Sequence, residues 1–129
     1  MTAPAPSVSA PQVVLDAKAL AALRELDPSG QGGLIARIMA TFDNSLVRML
    51  AQVDEAAARD DWATINHVAH TLKSSSASVG ALELARRSLE IEKLLRDKRQ
   101  ADVSPLLPAW VEEMQRARAA VRALGDAPA

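Results

Sequence analysis

The 129-residue chain contains no cysteine, which excludes disulfides and thiolate metal sites and agrees with a reducing compartment. It has only three aromatic side chains, Phe42, Trp62 and Trp110, and no segment alternates apolar and polar residues, so no β-strand is predicted. A net charge of −1 provides no basic field for nucleic acid. No stretch approaches the roughly 20 apolar residues that cross a bilayer, and the N-terminus has no signal-peptide pattern. We therefore expect a cytoplasmic protein.

Signatures of nucleotide chemistry are also missing. The sequence has neither a P-loop nor a kinase motif, so we expect the chain not to bind ATP and not to phosphorylate itself. No cofactor is expected in this chain.

What the chain does contain is apolar residues at helical spacing, interrupted by turn and capping signals. Asp16 is the predicted N-cap of a short helix that ends at about Leu26. Asp60-Asp61 caps a later helix, and Ser104-Pro105 is predicted as the N-cap and first position of the last one. The predicted helices are 16–26, 34–59, 62–80, 81–96 and 104–125, with Asp97 to Gln100 as a charged connection.

One short helix and four long ones with short connections predict an all-α fold, an antiparallel four-helix bundle with an additional N-terminal helix across one end. The bundle domain is predicted over residues 13–125. Residues 1–12 are mostly Ala, Pro and Ser and are predicted to form a disordered arm or linker, and residues 126–129 a frayed tail. Both a free-standing protein and a domain excised from a longer chain are consistent with this pattern.

The third helix has one face suited to burial, and His70 lies about 140° from the centre of that face. The predicted buried residues are Trp62, Ile65, Val68, Ala69, Leu72, Ser76 and Val79. On the fourth helix the predicted seam is Leu82, Ala85, Leu89 and Glu92, with Ile91 and Leu95 beside it. Glu92 is interpreted as structural, held in a buried hydrogen bond or ion pair.

Two interpretations of His70 remain open on periodicity alone. Most exposed histidines are simply solvated polar residues. Alternatively His70 is a nucleophile, because an imidazole with an unperturbed pKa near 6.5 has a neutral ring nitrogen at physiological pH. Lys73, one turn on, could hold a phosphoryl oxygen, and the small side chains of Ser74 and Ala77 would let a protein surface approach the ring.

The run from Ala69 to Ser76, AHTLKSSS, followed by Val79-Gly80-Ala81, closely resembles the central motif of histidine-containing phosphotransfer (Hpt) domains. The resemblance implies that His70 is the phospho-accepting histidine and Lys73 the assisting cation. One position departs from the family pattern: Ser74 stands where glycine is common. Serine is still small, so we expect docking to survive.

The resemblance implies a phosphorelay intermediate, a phosphocarrier rather than an enzyme. It is consistent both with a free-standing protein and with a domain excised from a membrane-bound hybrid kinase. A receiver domain of a response regulator or hybrid sensor kinase, with its own Mg²⁺, would pass a phosphoryl group from its aspartate to His70, and a second receiver would remove it. Asn66, His67, Ser74 and Ala77 are the expected docking residues. The alternative is a helical docking module that binds a signalling partner without phosphotransfer. No nucleic acid partner or membrane insertion is expected.

Two other chemistries fit the motif poorly. A bundle metal site of the Glu-x-x-His type needs a carboxylate where this chain has His67, so no metal site is predicted. A hydrolase built on Ser74, Ser75 or Ser76 with His70 as base lacks an acidic orienting residue and an oxyanion hole.

Overall fold

The computed structural model describes residues 15–125, and within this range every regular element is helical. The helices are α1 (Ala17–Glu25), α2 (Leu34–Ala58), α3 (Trp62–Ser78), α4 (Leu82–Arg96), α5 (Gln100–Val103) and α6 (Leu107–Gly125), with a 3₁₀ turn at Ser104–Leu106. The predicted all-α class is therefore confirmed. The predicted arm at 1–12 and tail at 126–129 lie outside the described residues.

The four long helices form a closed bundle. α2 packs against α3, α3 against α4, α4 against α6, and α6 returns to α2. The short connections between α2 and α3 and between α3 and α4 force these neighbours to run antiparallel. An ion pair between Asp43 on α2 and Arg118 on α6, with 2.7 Å between Oδ1 and Nε, joins the first and last helices of the ring.

The core is aliphatic, with a few large side chains at its centre. Each long helix contributes residues spaced three or four apart, as expected for helices that bury one face. Side chains with less than 2% exposure include Met39, Leu46, Ile65, Leu72, Leu84, Ile91, Trp110 and Met114. On α3 the buried face is the one predicted, although Trp62 is only partly covered.

The extra helix α1 begins beside the α3–α4 connection. Asp16 caps it as predicted, because its carboxylate accepts from the Ala19 amide at 3.0 Å. The Asp16 amide in turn donates to the Gly80 carbonyl at 2.8 Å. Leu20 and Leu23 of α1 pack against the edge of the core. The short helix therefore covers one end of the bundle.

The predicted seam of α4 is confirmed at Glu92 and at Ile91 beside it, but it is wrong at Leu82 and it omitted Leu84 and Ser88. The buried residues are Leu84, Ser88, Ile91 and Glu92, whereas Leu82 is 50% exposed. Both sets repeat with helical spacing, so periodicity alone does not choose between them. A tertiary contact favours the observed rotation: Trp110 Nε1 on α6 donates to Ser88 Oγ at 3.0 Å, which draws this polar residue inward.

The connection after α4 is shorter than predicted. Gln100 already begins α5, and the 3₁₀ turn at Ser104–Leu106 leads directly into α6. Ser104 makes no capping hydrogen bond there, so its predicted N-cap role is wrong. Pro105 fits because a proline at the start of a helical turn forfeits a donor that has no partner anyway.

Within the described residues, no helix combines the length and the apolar character needed to cross a membrane.

Candidate functional site

Helix α3 carries the site and is fixed at both ends by local hydrogen bonds. Asp61 caps its start, with its carboxylate accepting from the Thr64 amide and hydroxyl. At its end the Ala81 amide donates to the Ser76 carbonyl and the Gly80 amide to the Ala77 carbonyl, the pattern of a Schellman motif. Burial of the apolar face then fixes the rotation of α3, so His70 points outward as predicted.

His70 is exposed but anchored. Its side chain is 64% accessible, while its Nδ1 atom lies 2.6 Å from Oε2 of Glu92, whose side chain is only 12% accessible. The other carboxylate oxygen of Glu92 accepts from Lys73 Nζ at 2.9 Å. Three side chains from two helices thus form one connected group at the surface of the α3–α4 pair.

Glu92 is the ionised member of this group. The hydrogen bond from Lys73, followed by the one from His70, holds the pKa of the Glu92 carboxyl below its ordinary value despite burial. An ionised carboxylate can only accept hydrogen bonds, so the Nδ1 atom of His70 must carry the proton in this contact. In the neutral form of the ring, the second nitrogen, Nε2, then carries the lone pair.

Glu92 was predicted to be structural, in a buried hydrogen bond or ion pair, and was not predicted as part of the site. The ion pair is confirmed, and its partners are His70 and Lys73. A signal was present: His70 and Glu92 each lie eleven residues from Ala81, at the tight turn between two antiparallel helices. Residues at equal distances from such a turn face each other, so Glu92 could have been paired with His70 from the sequence.

The four predicted docking residues share the surface around His70. Asn66, His67, Ser74 and Ala77 are all exposed on α3. Ser74 and Ala77 follow His70 on the exposed face of α3, and both have small side chains. A protein surface can therefore approach the imidazole from this side.

A second cation lies near the site and was not predicted. A groove of about 350 Å³ extends from Glu92 and Asn66 to Arg96, which lies one turn beyond Glu92 on α4. Its remaining lining includes Trp62, Leu95 and Gln100. Two basic side chains, Lys73 and Arg96, thus lie on opposite sides of Glu92 along the α3–α4 surface. Over residues 15–125 there is no cluster of three or more His, Asp or Glu side chains suited to a metal ion.

Chemically, the arrangement offers a nucleophilic nitrogen to solvent. The buried carboxylate orients the ring and can stabilise a positive charge on it, as carboxylates do for other catalytic histidines. Nδ1 already has a hydrogen-bond partner in Glu92, and the 64% exposure of the His70 side chain leaves the ring open to an approaching group.

Comparisons with known proteins agree with this geometry. The model of the Hpt domain family matches residues 37–120. Among solved structures, histidine-containing phosphotransfer protein B (HptB) from Pseudomonas aeruginosa PAO1 is similar, with 30% sequence identity and a TM-score of 0.68. The match covers 91% of this chain and 93% of that one. The search of curated proteins gave no match.

Proposed function

Because this chain belongs to the Hpt domain family, and is thus a phosphotransfer intermediate of two-component signalling, we propose that His70 is its phosphoryl-carrying residue. The observation that carries the assignment is an exposed imidazole whose Nδ1 atom is held by the buried Glu92 carboxylate. In that state the outward nitrogen, Nε2, is the nucleophile.

The donor is the phospho-aspartate of a receiver domain. The lone pair of His70 Nε2 attacks the phosphorus in line, a nitrogen–phosphorus bond forms, and the bond from phosphorus to the aspartyl oxygen breaks. The aspartate leaves as a carboxylate with the electron pair of that bond. Transfer to a second receiver runs the same step in reverse, with the new aspartate as nucleophile.

Glu92 and Lys73 stabilise opposite charges in this step. Attack through Nε2 while Nδ1 keeps its proton leaves the ring positively charged, and Glu92 lies 2.6 Å from that Nδ1 atom. The phosphoryl group adds negative charge outside the ring. Lys73, which is about one-third exposed, can turn from Glu92 to a phosphoryl oxygen.

The remaining roles belong to the surface and to the partner. Asn66, His67, Ser74 and Ala77 form the docking surface for the receiver around His70. The divalent cation of the reaction is assigned to the receiver, and this chain supplies no cofactor. Without a nucleotide-binding motif it acts as a phosphocarrier that does not phosphorylate itself.

The test is phosphorylation by a receiver. The full chain is incubated with a receiver domain carrying phospho-aspartate, and acid-labile, alkali-stable phosphate on this chain is measured. We expect the wild-type chain to be labelled and His70→Gln to remain unlabelled. His67→Gln is the comparison, since it removes the other histidine of the chain. Because His67 belongs to the docking surface, this variant should be labelled more slowly at most, whereas His70→Gln should not be labelled at all.

A labelled His70→Gln chain would refute the assignment of His70. A wild-type chain that binds the receiver without becoming labelled would instead support the alternative, a docking module without phosphotransfer. Ser74, at the position where glycine is common, is the feature of the sequence that favours this alternative.

A further inference from the structure

Arg96, at the end of α4, is an arginine without a carboxylate partner. It is exposed, and within residues 15–125 no Asp or Glu oxygen lies within 4.0 Å of its guanidinium nitrogens. The other arginines of α4 are paired, since Arg86 and Arg87 both contact Glu83. The guanidinium of Arg96 is therefore available to bind a negatively charged group.

The nearest acidic residue before Arg96 on its helix is the buried carboxylate of the site. Glu92 precedes Arg96 by four residues, and this order, acidic before basic, is the favourable one for an ion pair on a helix. Both residues line the groove of about 350 Å³ beside the site, so open space joins their side chains. The spacing and the groove both favour this pair, yet the structure does not form it.

The site itself keeps Arg96 unpaired. One carboxylate oxygen of Glu92 lies 2.6 Å from His70 Nδ1, and the other accepts from Lys73 Nζ at 2.9 Å. The negative charge of Glu92 is thus already balanced by the ammonium group of Lys73. A second cation would gain little there and would be repelled by the first. We therefore expect Arg96 to pair with Glu92 once Lys73 has left.

We propose that Arg96 replaces Lys73 on the carboxylate of Glu92 when Lys73 turns to the phosphoryl group on His70. The proposal rests on the proposed function, in which Lys73 changes its partner. The Glu92 side chain is only 12% accessible, and a buried carboxylate oxygen without a donor is costly. The last side-chain torsion of a glutamate is broad and roughly two-fold, so the freed oxygen can turn to Arg96 while the other one keeps its contact with His70.

The exchange makes Arg96 a positioning residue that acts through Glu92. It keeps the carboxylate ionised and hydrogen-bonded while the imidazole carries both the phosphoryl group and a positive charge. Without Arg96, each turn of Lys73 toward the phosphoryl group would leave Glu92 with one partner fewer. Removal of Arg96 should therefore slow transfer, but only while Glu92 is present.

The exchange can be tested without phosphorylation, in the full chain carrying Lys73→Ala. This variant removes the resting partner of Glu92, so Arg96 should move onto the carboxylate. A guanidinium held by charge-assisted hydrogen bonds rotates more slowly, and ¹⁵N NMR should show the Nη groups of Arg96 slowed in Lys73→Ala but fast in the wild type. Adding Glu92→Gln should restore fast rotation. Lys93→Ala, which removes an exposed lysine that does not bond Glu92, is the control and should leave the rotation fast.

Fast rotation of Arg96 in Lys73→Ala would overturn the proposal. Slowing that persists when Glu92→Gln is added would also overturn it, because Arg96 would then have another partner.

The role in transfer is tested by labelling of the chain with a receiver that carries phospho-aspartate. Arg96→Gln should slow labelling of His70 by about twofold to tenfold, the change that one net hydrogen bond corresponds to. Lys93→Gln removes the same charge from α4 outside the groove and should leave the rate unchanged. In a chain that already carries Glu92→Gln, Arg96→Gln should have no further effect, because Arg96 acts through that carboxylate.

A loss that persists in the presence of Glu92→Gln would overturn the proposal, since Arg96 would then bind the phosphoryl group or the receiver directly. An unchanged rate in Arg96→Gln would remove its role in transfer. The proposed function fails separately. If His70 of the wild type is not labelled while Lys73→Ala still slows the rotation of Arg96, phosphotransfer is refuted and the exchange on Glu92 is not.

Discussion

At the scale of single residues, the carboxylate of Glu92 decides which nitrogen of His70 is available. Its Oε2 atom lies 2.6 Å from Nδ1, and because the carboxylate is ionised it accepts a hydrogen bond from the protonated Nδ1. Replacing it with glutamine keeps the volume but removes the charge that favours one tautomer and stabilises a positively charged ring. Loss of a carboxylate that orients a metal-bound histidine through its second ring nitrogen typically reduces activity tenfold to a hundredfold.

We therefore expect Glu92→Gln to slow phosphorylation of His70 by about tenfold to a hundredfold, by analogy with such orienting carboxylates. The imidazole nitrogen shifts in ¹⁵N NMR should show Nδ1–H in the wild type and a mixture of tautomers in the variant. Glu90→Gln, an exposed glutamate on the same helix, is the control. A tautomer change without a change in rate would remove Glu92 from the mechanism.

Lys73 is the other charged partner, and in the proposed step its ammonium group turns from Glu92 to a phosphoryl oxygen. In the resting site its Nζ atom bonds Glu92 at 2.9 Å. A hydrogen bond to a charged group is worth about 1.5–3 kcal/mol, so Lys73→Ala should slow transfer or shorten the lifetime of the phosphohistidine by roughly tenfold to a hundredfold. The thermal midpoint should change little because the side chain is one-third exposed. Unchanged kinetics in both directions would exclude the role.

At the scale of secondary-structure elements, Gly80 joins α1 to the α3–α4 turn. Its φ of +87° lies in the left-handed region, and an added Cβ would approach the Asp16 amide nitrogen to 2.7 Å. Gly30 is a matched control, because its φ is +75° but nothing lies within 4 Å of its added Cβ. Gly30→Ala should cost about 1–2 kcal/mol of unfolding free energy from backbone strain alone.

Gly80→Ala should cost about 1–3 kcal/mol more than the control, the usual penalty for overpacking. Chemical denaturation measures the difference, and hydrogen exchange should show loss of protection in α1 before the rest of the bundle. Equal costs for the two glycines would mean that α1 moves away without loss of stability.

A buried carboxyl at the α4–α6 interface makes stability depend on pH. Glu113 is 5% exposed, and burial, partly offset by Arg116, raises the pKa of its carboxyl above the ordinary value of 4.5. Glu83 and Glu112 raise it further, and Arg87 lowers it. A raised pKa in the folded state means that folding favours the protonated form, so the wild type loses stability as pH rises through the folded pKa.

Glu113→Gln should thus melt at a higher temperature than the wild type at pH 7 to 8, and the gain should shrink to nothing below about pH 4.5, the reference value for a free glutamate. Glu55→Gln, at an exposed position of α2 outside the α4–α6 interface, should show no such trend. A gain that is constant with pH would point to helix propensity rather than to the buried charge.

The elements also show where sequence patterns stop being informative. The N-cap and the buried face of a helix depend on residues that are close in the sequence. The Asp16 cap, the third helix and the buried face of that helix were therefore predicted. The burial of Ser88 on α4 was not predicted, because it depends on Trp110 of another helix. Glu92 was placed on the buried side of α4, but its contact with His70 also lies between two helices and was missed.

At the scale of the whole molecule, the buried core and the proposed phosphotransfer site occupy different surfaces of the same helices. The Hpt resemblance and the periodicity predicted the bundle, whereas the Asp43–Arg118 pair, 75 residues apart, has no signal in local sequence. The core residues hold α3 rigid, and the site residues lie on its outer side. A core substitution should consequently weaken the fold without altering the chemistry of His70.

Leu46 tests this separation, because it is fully buried on α2 and its neighbour Val47 is 46% exposed. Leu46→Ala should cost about 2–5 kcal/mol and lower the melting temperature by roughly 10 °C or more, whereas Val47→Ala should cost well under that. Phosphorylation of His70 by a receiver, measured well below the melting temperature, should stay within about twofold of wild type in both, since the α3–α4 surface is unchanged and a stability loss of this size still leaves most molecules folded. A rate that falls with core stability would mean that the bundle must stay rigid beyond α3 and α4 for His70 to meet the phosphorus in line.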